Sequence, residues 1–264
     1  MSVSLDDLPL TARGAWTRFR DQAETILGGN LIGLWGYGGT VFPDRSRPLG
    51  DLDTLAVIER VSDERTTRAL ERAREEIARE FGIDWDISYV VAAEAGRGDP
   101  PSDALDPDRR FTSWAIDRAH WLAGWYVALS GRRPEEIVPA PTWPEIEAAL
   151  SRELEHLERH VKEGDDDPYE ATYAIWNGSR ILRAIATHDL AMSKRSGGMW
   201  ALEHLPERWH DAIRAADRTY DGKGTTEDAE TLRVTMAPFV AMVRERLPLV
   251  DPRSPGSPPR WSGS

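Results

Sequence analysis

Asp51 and Asp53 stand one residue apart at the head of an apolar run, Leu52 to Ile58 (LDTLAVI). In a strand, side chains at i and i+2 point to the same face, so the two carboxylates are neighbours. Neighbouring anions repel unless a cation neutralises them. A hard divalent ion such as Mg²⁺ does so with oxygen ligands and keeps positions open for water and phosphate oxygens. Upstream, Gly38 and Gly39 close a second apolar run, LIGLWGY, and let backbone approach a phosphate that a Cβ would obstruct. Read singly, a D-x-D is more often a solvated strand end and a double glycine a simple turn. In this order, with the spacing of a strand, a loop and a strand, they predict metal-assisted chemistry on a nucleotide. A dinucleotide fingerprint would need a helix where Pro43 and Pro48 follow, and a P-loop would need a Gly-Lys-Ser/Thr that is absent.

A third carboxylate comes from GIDWDISYVVAA, which alternates Ile83, Trp85, Ile87, Tyr89 and Val91 against Asp84, Asp86 and Ser88. Asp86 sits mid-strand, where a carboxylate is costly without a partner. If this strand lies beside the D-x-D strand, Asp86 completes a three-carboxylate site; Asp84, nearer the strand end, is the weaker candidate.

These strands need a scaffold. The chain through about Gly28 predicts a helix with Ala15, Phe19, Ala23 and Ile26 on its apolar stripe. Ser62 or Asp63 can cap a helix ending at Gly82. Residues 92–110 read as a loop, and Phe111 to Ser130 as a helix. The proline-punctuated GRRPEEIVPAPTWP marks a domain boundary. Beyond it, helices are expected over Pro144 to Lys162, Tyr169 to His188, Trp200 to Tyr220 and Thr226 to Arg246. The fold class is therefore α+β. A catalytic unit with a mixed sheet is expected over residues 1–142, a helical bundle over 143–250 and a disordered tail over 251–264.

Composition narrows the function. The absence of Cys excludes disulfides, thiolate zinc sites and thiol nucleophiles, and fits a reducing cytoplasm. No apolar run approaches the length of a membrane span, and MSVSLDDLPL lacks the pattern of a signal peptide, so a cytoplasmic protein without a membrane partner is expected. A net charge of −12 argues against general nucleic-acid binding and favours a small cationic partner, although solubility alone accounts for it equally well. A monomer is expected. Most of the eleven Trp are expected in the core, with one or two available to floor a ligand site.

Three further groups have two readings each. His156 and His160 lie four apart on a helix, but Leu157 stands where a zinc protease has Glu, which favours an exposed polar face. Asp165, Asp166 and Asp167 before Pro168 form a solvated loop or helix cap, or else a rim that attracts a cation. Ser193 to Gly198, read as a cationic loop between helices, serves solubility or reaches phosphates.

Together, Gly38-Gly39, the Asp51-Leu52-Asp53 pair and Asp86 in WDISYVV resemble the pattern of DNA polymerase β-like nucleotidyltransferases. SKRSGGMWALEHLPERWHDAIRAADRTYDG and DRAHWLAGWYVALSGRRPEEIVPAPTWPEI resemble aminoglycoside adenylyltransferases of the streptomycin/spectinomycin type. The resemblance implies Mg²⁺ on Asp51 and Asp53, Asp86 as general base, Gly38 and Gly39 against the triphosphate of ATP, Lys194 on its phosphates and Tyr220 near the nucleotide. It implies in-line attack of an antibiotic hydroxyl on the α-phosphate, with pyrophosphate leaving and AMP transferred. The chain departs from the family at Gly39 and Gly50, where Ser is usual. It departs again at Ala174, where the family carries a substrate-binding Asp and Asn177 is the aligned amide. Asp165, Asp166, Asp167 and Glu170 are the acids available to replace that charge. The alternatives are a nucleotidyltransferase acting on another acceptor, such as a biosynthetic aminocyclitol, a protein or an RNA, or a catalytically silent nucleotide-binding relative.

Overall fold

Helix α1 (Leu10–Leu27) leads into strand β1 (Leu31–Tyr37), a 3-10 turn at Gly39–Val41 and strand β2 (Leu52–Ile58). Helix α2 (Glu64–Phe81), strand β3 (Trp85–Val91), the short α3 (Ala92–Ala95), helix α4 (Trp114–Leu122) and strand β4 (Val127–Gly131) follow. The remainder is helical: α5 (Trp143–Glu163), α6 (Pro168–Thr187), α7 (Lys194–His204), α8 (His210–Tyr220) and α9 (Thr226–Arg246). The structure, a computed structural model, describes residues 2–45, 51–163 and 167–247. Gly50, Asp165, Asp166 and the tail 251–264 lie outside the described residues.

The sheet runs in the order β3-β2-β1-β4, with β2 parallel to β3 and β1 antiparallel to both β2 and β4. Period-two alternation divides β2 between two cores. Leu52, Ala56 and Ile58 pack with Trp16 and Phe19 of α1 and Leu70, Ala73 and Ile77 of α2. Leu55 and Val57 face the other way, onto Trp35, Trp114 and Trp121. Thr54 is buried on the first face and its hydroxyl accepts two indole N–H groups, from Trp16 and Trp85, each at 2.9 Å. That shared acceptor fixes β2 between α1 and β3. The faces place Asp53 at the end of the second one, where the sheet opens.

Helix α2 starts where Asp63 accepts from the Thr66 amide at 2.8 Å and stops at Gly82 in the left-handed region, as its sequence predicts. In the third core, α5, α7, α8 and α9 surround α6, which is buried along most of its length.

Two expectations need correction. The stretch from Phe111 to Ser130 is not one helix. α4 ends at Leu122, Gly124 takes a positive φ of 93°, and β4 turns back to pair with β1. Val127 and Leu129 are buried while Ala128 is exposed, a strand alternation that the preceding helical pattern hid. Likewise Trp200 to Tyr220 is two helices, because the chain breaks at Leu205 and Pro206 before α8 begins. The first of them starts earlier than expected, at a cap made by Ser193.

Candidate active site

The register across the sheet assembles the centre of the site. Tyr37 of β1 pairs with Asp53 of β2, and Asp53 pairs with Asp86 of β3, so the three side chains stand in one row on one face. Asp51 lies just before β2, exposed, and Thr40 Oγ1 donates to its carbonyl oxygen at 3.2 Å. That bond ties the glycine turn to the two aspartates. Gly38 has φ +78°, and a Cβ there would fall 1.7 Å from Asp53 Oδ2. Only glycine leaves room for this carboxylate against the turn.

The electrostatics of the carboxylates are those of crowded, buried anions. Burial, and then the adjacent Asp51, push the Asp53 carboxyl up to about 8, with Asp86 adding to the shift and Lys194 opposing it. Burial and Arg180 lower the Lys194 ammonium, while Asp51 and Asp53 act to hold its proton. Among the described residues no group of three or more His, Asp or Glu side chains is placed to hold a metal ion, so Asp51 and Asp53 would offer two carboxylates only. A few convergent carboxylates with open positions suit an ion that takes its remaining oxygens from phosphates and water, as Mg²⁺ does.

This row borders a cleft of about 800 Å³ between the sheet and the helical half. Gly38, Gly39, Asp51, Asp53, Lys194 and Tyr220 all line it. Asp86 is not among the residues that line the cleft; it stands exposed beside Asp53 in the sheet register. Lys194 reaches the cleft from the first turn of α7, with Nζ 4.8 Å from the centre of the Tyr173 ring. A Cβ at Gly197 would approach Arg180 Cγ to 2.6 Å, so glycine there lets α7 lie against α6. Tyr220 packs on Trp176, ring centres 4.3 Å apart, and its hydroxyl lies 3.7 Å from the Cβ position of Gly39. A clasp joins the two walls: Ser193 Oγ donates to the Asp44 carboxylate, and Arg195 Nη1 donates to the Asp44 carbonyl at 3.3 Å while its Nε pairs with Asp217 at 2.8 Å.

Of the residues expected to meet a cationic substrate, the three that the structure describes, Asp167, Glu170 and Asn177, are not brought together. Asn177 lines the cleft and accepts from Arg180 Nη1 at 3.1 Å. Asp167 instead caps α6, accepting from the Tyr169 amide at 2.9 Å, and Glu170 lies 3.5 Å from His160 Nδ1; neither lines the cleft. Ala174 is buried in the helical core. His156 and His160, read as an exposed polar face, are half-buried with Nε2 atoms 3.1 Å apart, and His156 lines the cleft. The fully buried Trp side chains all serve the cores, and no Trp among the described residues lines the cleft.

Residues 142–246 match the family model described as aminoglycoside adenylyltransferase, C-terminal domain. By that match the helical half carries the C-terminal domain of the aminoglycoside adenylyltransferases. It is an adenylyltransferase enzyme. The fold is that of spectinomycin adenyltransferase AAD(9) from Enterococcus faecialis, solved with ATP and spectinomycin: TM-score 0.72, 17% identity, covering 88% of this chain and 98% of that one. No curated protein sequence matches it.

Sequence reasoning missed three cleft residues of this adenylyltransferase. Tyr37 follows Trp35 on one strand face, a signal that needed the antiparallel register to become useful. Asp117 is a lone acid in WAIDRAHWL, and burial raises it to about 6. Arg180 lines the cleft from α6 with nothing in its spacing to mark it.

Proposed function

We propose that this adenylyltransferase moves AMP from ATP to a hydroxyl of an aminoglycoside or aminocyclitol, with Mg²⁺ required. The observation that carries the reading is that Asp51 and Asp53 share one cleft with Lys194 and Tyr220, with Asp86 paired beside Asp53 in the sheet. Gly38 and Gly39 give the triphosphate room against backbone. Asp51 and Asp53 would hold the magnesium, which when bound draws charge from the phosphate oxygens and relieves the crowding of the carboxylates. Lys194, at the N-terminal turn of α7, offers its charge and the helix dipole to the phosphates. Asp86, exposed beside Asp53, takes the proton from the acceptor hydroxyl. As that oxygen bonds to the α-phosphorus, the bond to the bridging oxygen breaks and pyrophosphate leaves with the electron pair. Residues 1–142 then supply catalysis, and 143–250 the nucleotide roof and most of the acceptor wall. Among the described residues no helix is long and apolar enough to cross a membrane.

The test is incubation of the protein with labelled ATP, Mg²⁺ and a panel of aminoglycosides that includes spectinomycin and streptomycin. The expected result is pyrophosphate release together with an AMP-modified drug. Pyrophosphate released only with a different acceptor would replace the substrate class, and nucleotide binding without any turnover would contradict the reading.

A further inference from the structure

Asp117 is a carboxylate in the cleft to which the reaction described above gives no task. It projects from α4, lines the cleft, and has one side-chain hydrogen bond, from Ser113 Oγ at 2.7 Å. No ion pair reaches it, and Arg180, the cation whose field it feels, gives Nη1 to Asn177. Its place relative to the chemistry is fixed on two sides. Tyr37, in register beside Asp53, lies close enough to Asp117 and Asp53 for both to act on its phenol. On the neighbouring helix α5, Glu153, which also lines the cleft and acts on Asp117, accepts from Tyr173 Oη at 3.0 Å.

Asp117 and Glu153 both act on the buried cation Arg180, so two acids share one counter-charge, and a ligand cation that makes up the balance gains correspondingly. Helix α6 does not supply the matching charge. Its cleft-lining residues among those described are Tyr169, Tyr173, Asn177, Arg180 and Ile181, none of them acidic. We propose that Asp117, with Glu153 on the adjoining helix, is the specificity determinant that seats a protonated amine of the acceptor, one tyrosine away from the transfer centre. The inference rests on the aminocyclitol reading and deepens it: the charge absent at Ala174 is provided from α4 and α5 instead.

The experiment is calorimetric titration of spectinomycin and streptomycin into wild type, Asp117→Asn and Glu153→Gln, each saturated with Mg²⁺ and a non-hydrolysable ATP analogue, followed by steady-state kinetics. Asp117→Asn is expected to weaken the better-bound drug at least tenfold and to raise its KM by a similar factor. kcat at saturation and the KM for ATP should stay within about twofold. Acetylating the drug's amines should remove the difference between wild type and variant, a result that a purely structural role for Asp117 does not produce. Glu153→Gln should show a smaller loss of the same kind. Equal drug affinity in wild type and both variants would overturn the inference while leaving the transfer reading intact. Failure of wild type itself to bind either drug, with ATP binding intact, would overturn both.

Discussion

A methyl group at residue 38 would collide with the Asp53 carboxylate, and the backbone there has a φ that L-residues avoid. Gly38→Ala should therefore move Asp53 or the turn, reducing kcat/KM at least tenfold, while the local strain costs about 1 kcal/mol in denaturant unfolding. Wild-type kinetics in that variant would show that the close approach is incidental. Asp117 gives a pH dependence whose sign follows from linkage. Burial holds its carboxyl at about 6 against 3.8 for a free side chain, so over that window the folded chain retains a proton the unfolded chain has lost. Stability contributed by the protonated form is lost as pH rises through the window. Asp117→Asn escapes the loss, so its Tm relative to wild type should rise by a few degrees between about pH 4 and about pH 7. A difference that stays constant over this range would place the carboxylate in water. At this scale the sequence alone disclosed Asp51, Asp53 and Asp86, since D-x-D and a mid-strand acid need only periodicity to be noticed. Asp117 was hidden because its importance depends on which residues face it.

Among the elements, β2 carries the site, and Thr54 holds it. Thr54→Val keeps the shape but leaves the indole N–H groups of Trp16 and Trp85 without their acceptor. Each buried unpaired donor costs about 1–3 kcal/mol, so a total loss of about 2–4 kcal/mol is expected in urea unfolding. A loss below about 0.5 kcal/mol would mean that the two tryptophans find other partners. Helix α2 was legible because its caps and apolar spacing agree along its whole length, whereas α9 continues through an internal Pro238. Strand β4 was not: five residues following a helix of nine carry too little pattern, and what makes them a strand is the open edge of β1. The start of α7 was read as a loop because its two glycines argue against a helix. They are tolerated because α7 packs close against Arg180 and Trp176.

At the scale of the whole molecule, the cleft depends on both halves. The sheet end brings the carboxylates, the helical half brings Lys194 and Tyr220, and the Ser193–Asp44 and Arg195–Asp44 bonds join them. Composition and element order made the two-part architecture legible, and the family match over residues 142–246 begins in the proline-rich connection. The cleft wall made by α4, α5 and α6 was not legible, because these helices pack side by side and no local spacing encodes that convergence. The central claim is that Asp53 and Asp86, paired in register, perform the transfer with Asp51 beside them, Asp86 taking the proton. Asp86→Asn, first titrated with ATP and Mg²⁺ and then given the drug that wild type binds best, tests this by mass spectrometry in a single turnover. The account predicts nucleotide affinity within about twofold of wild type and AMP transfer slower by at least about 10²-fold; transfer at the wild-type rate would contradict it.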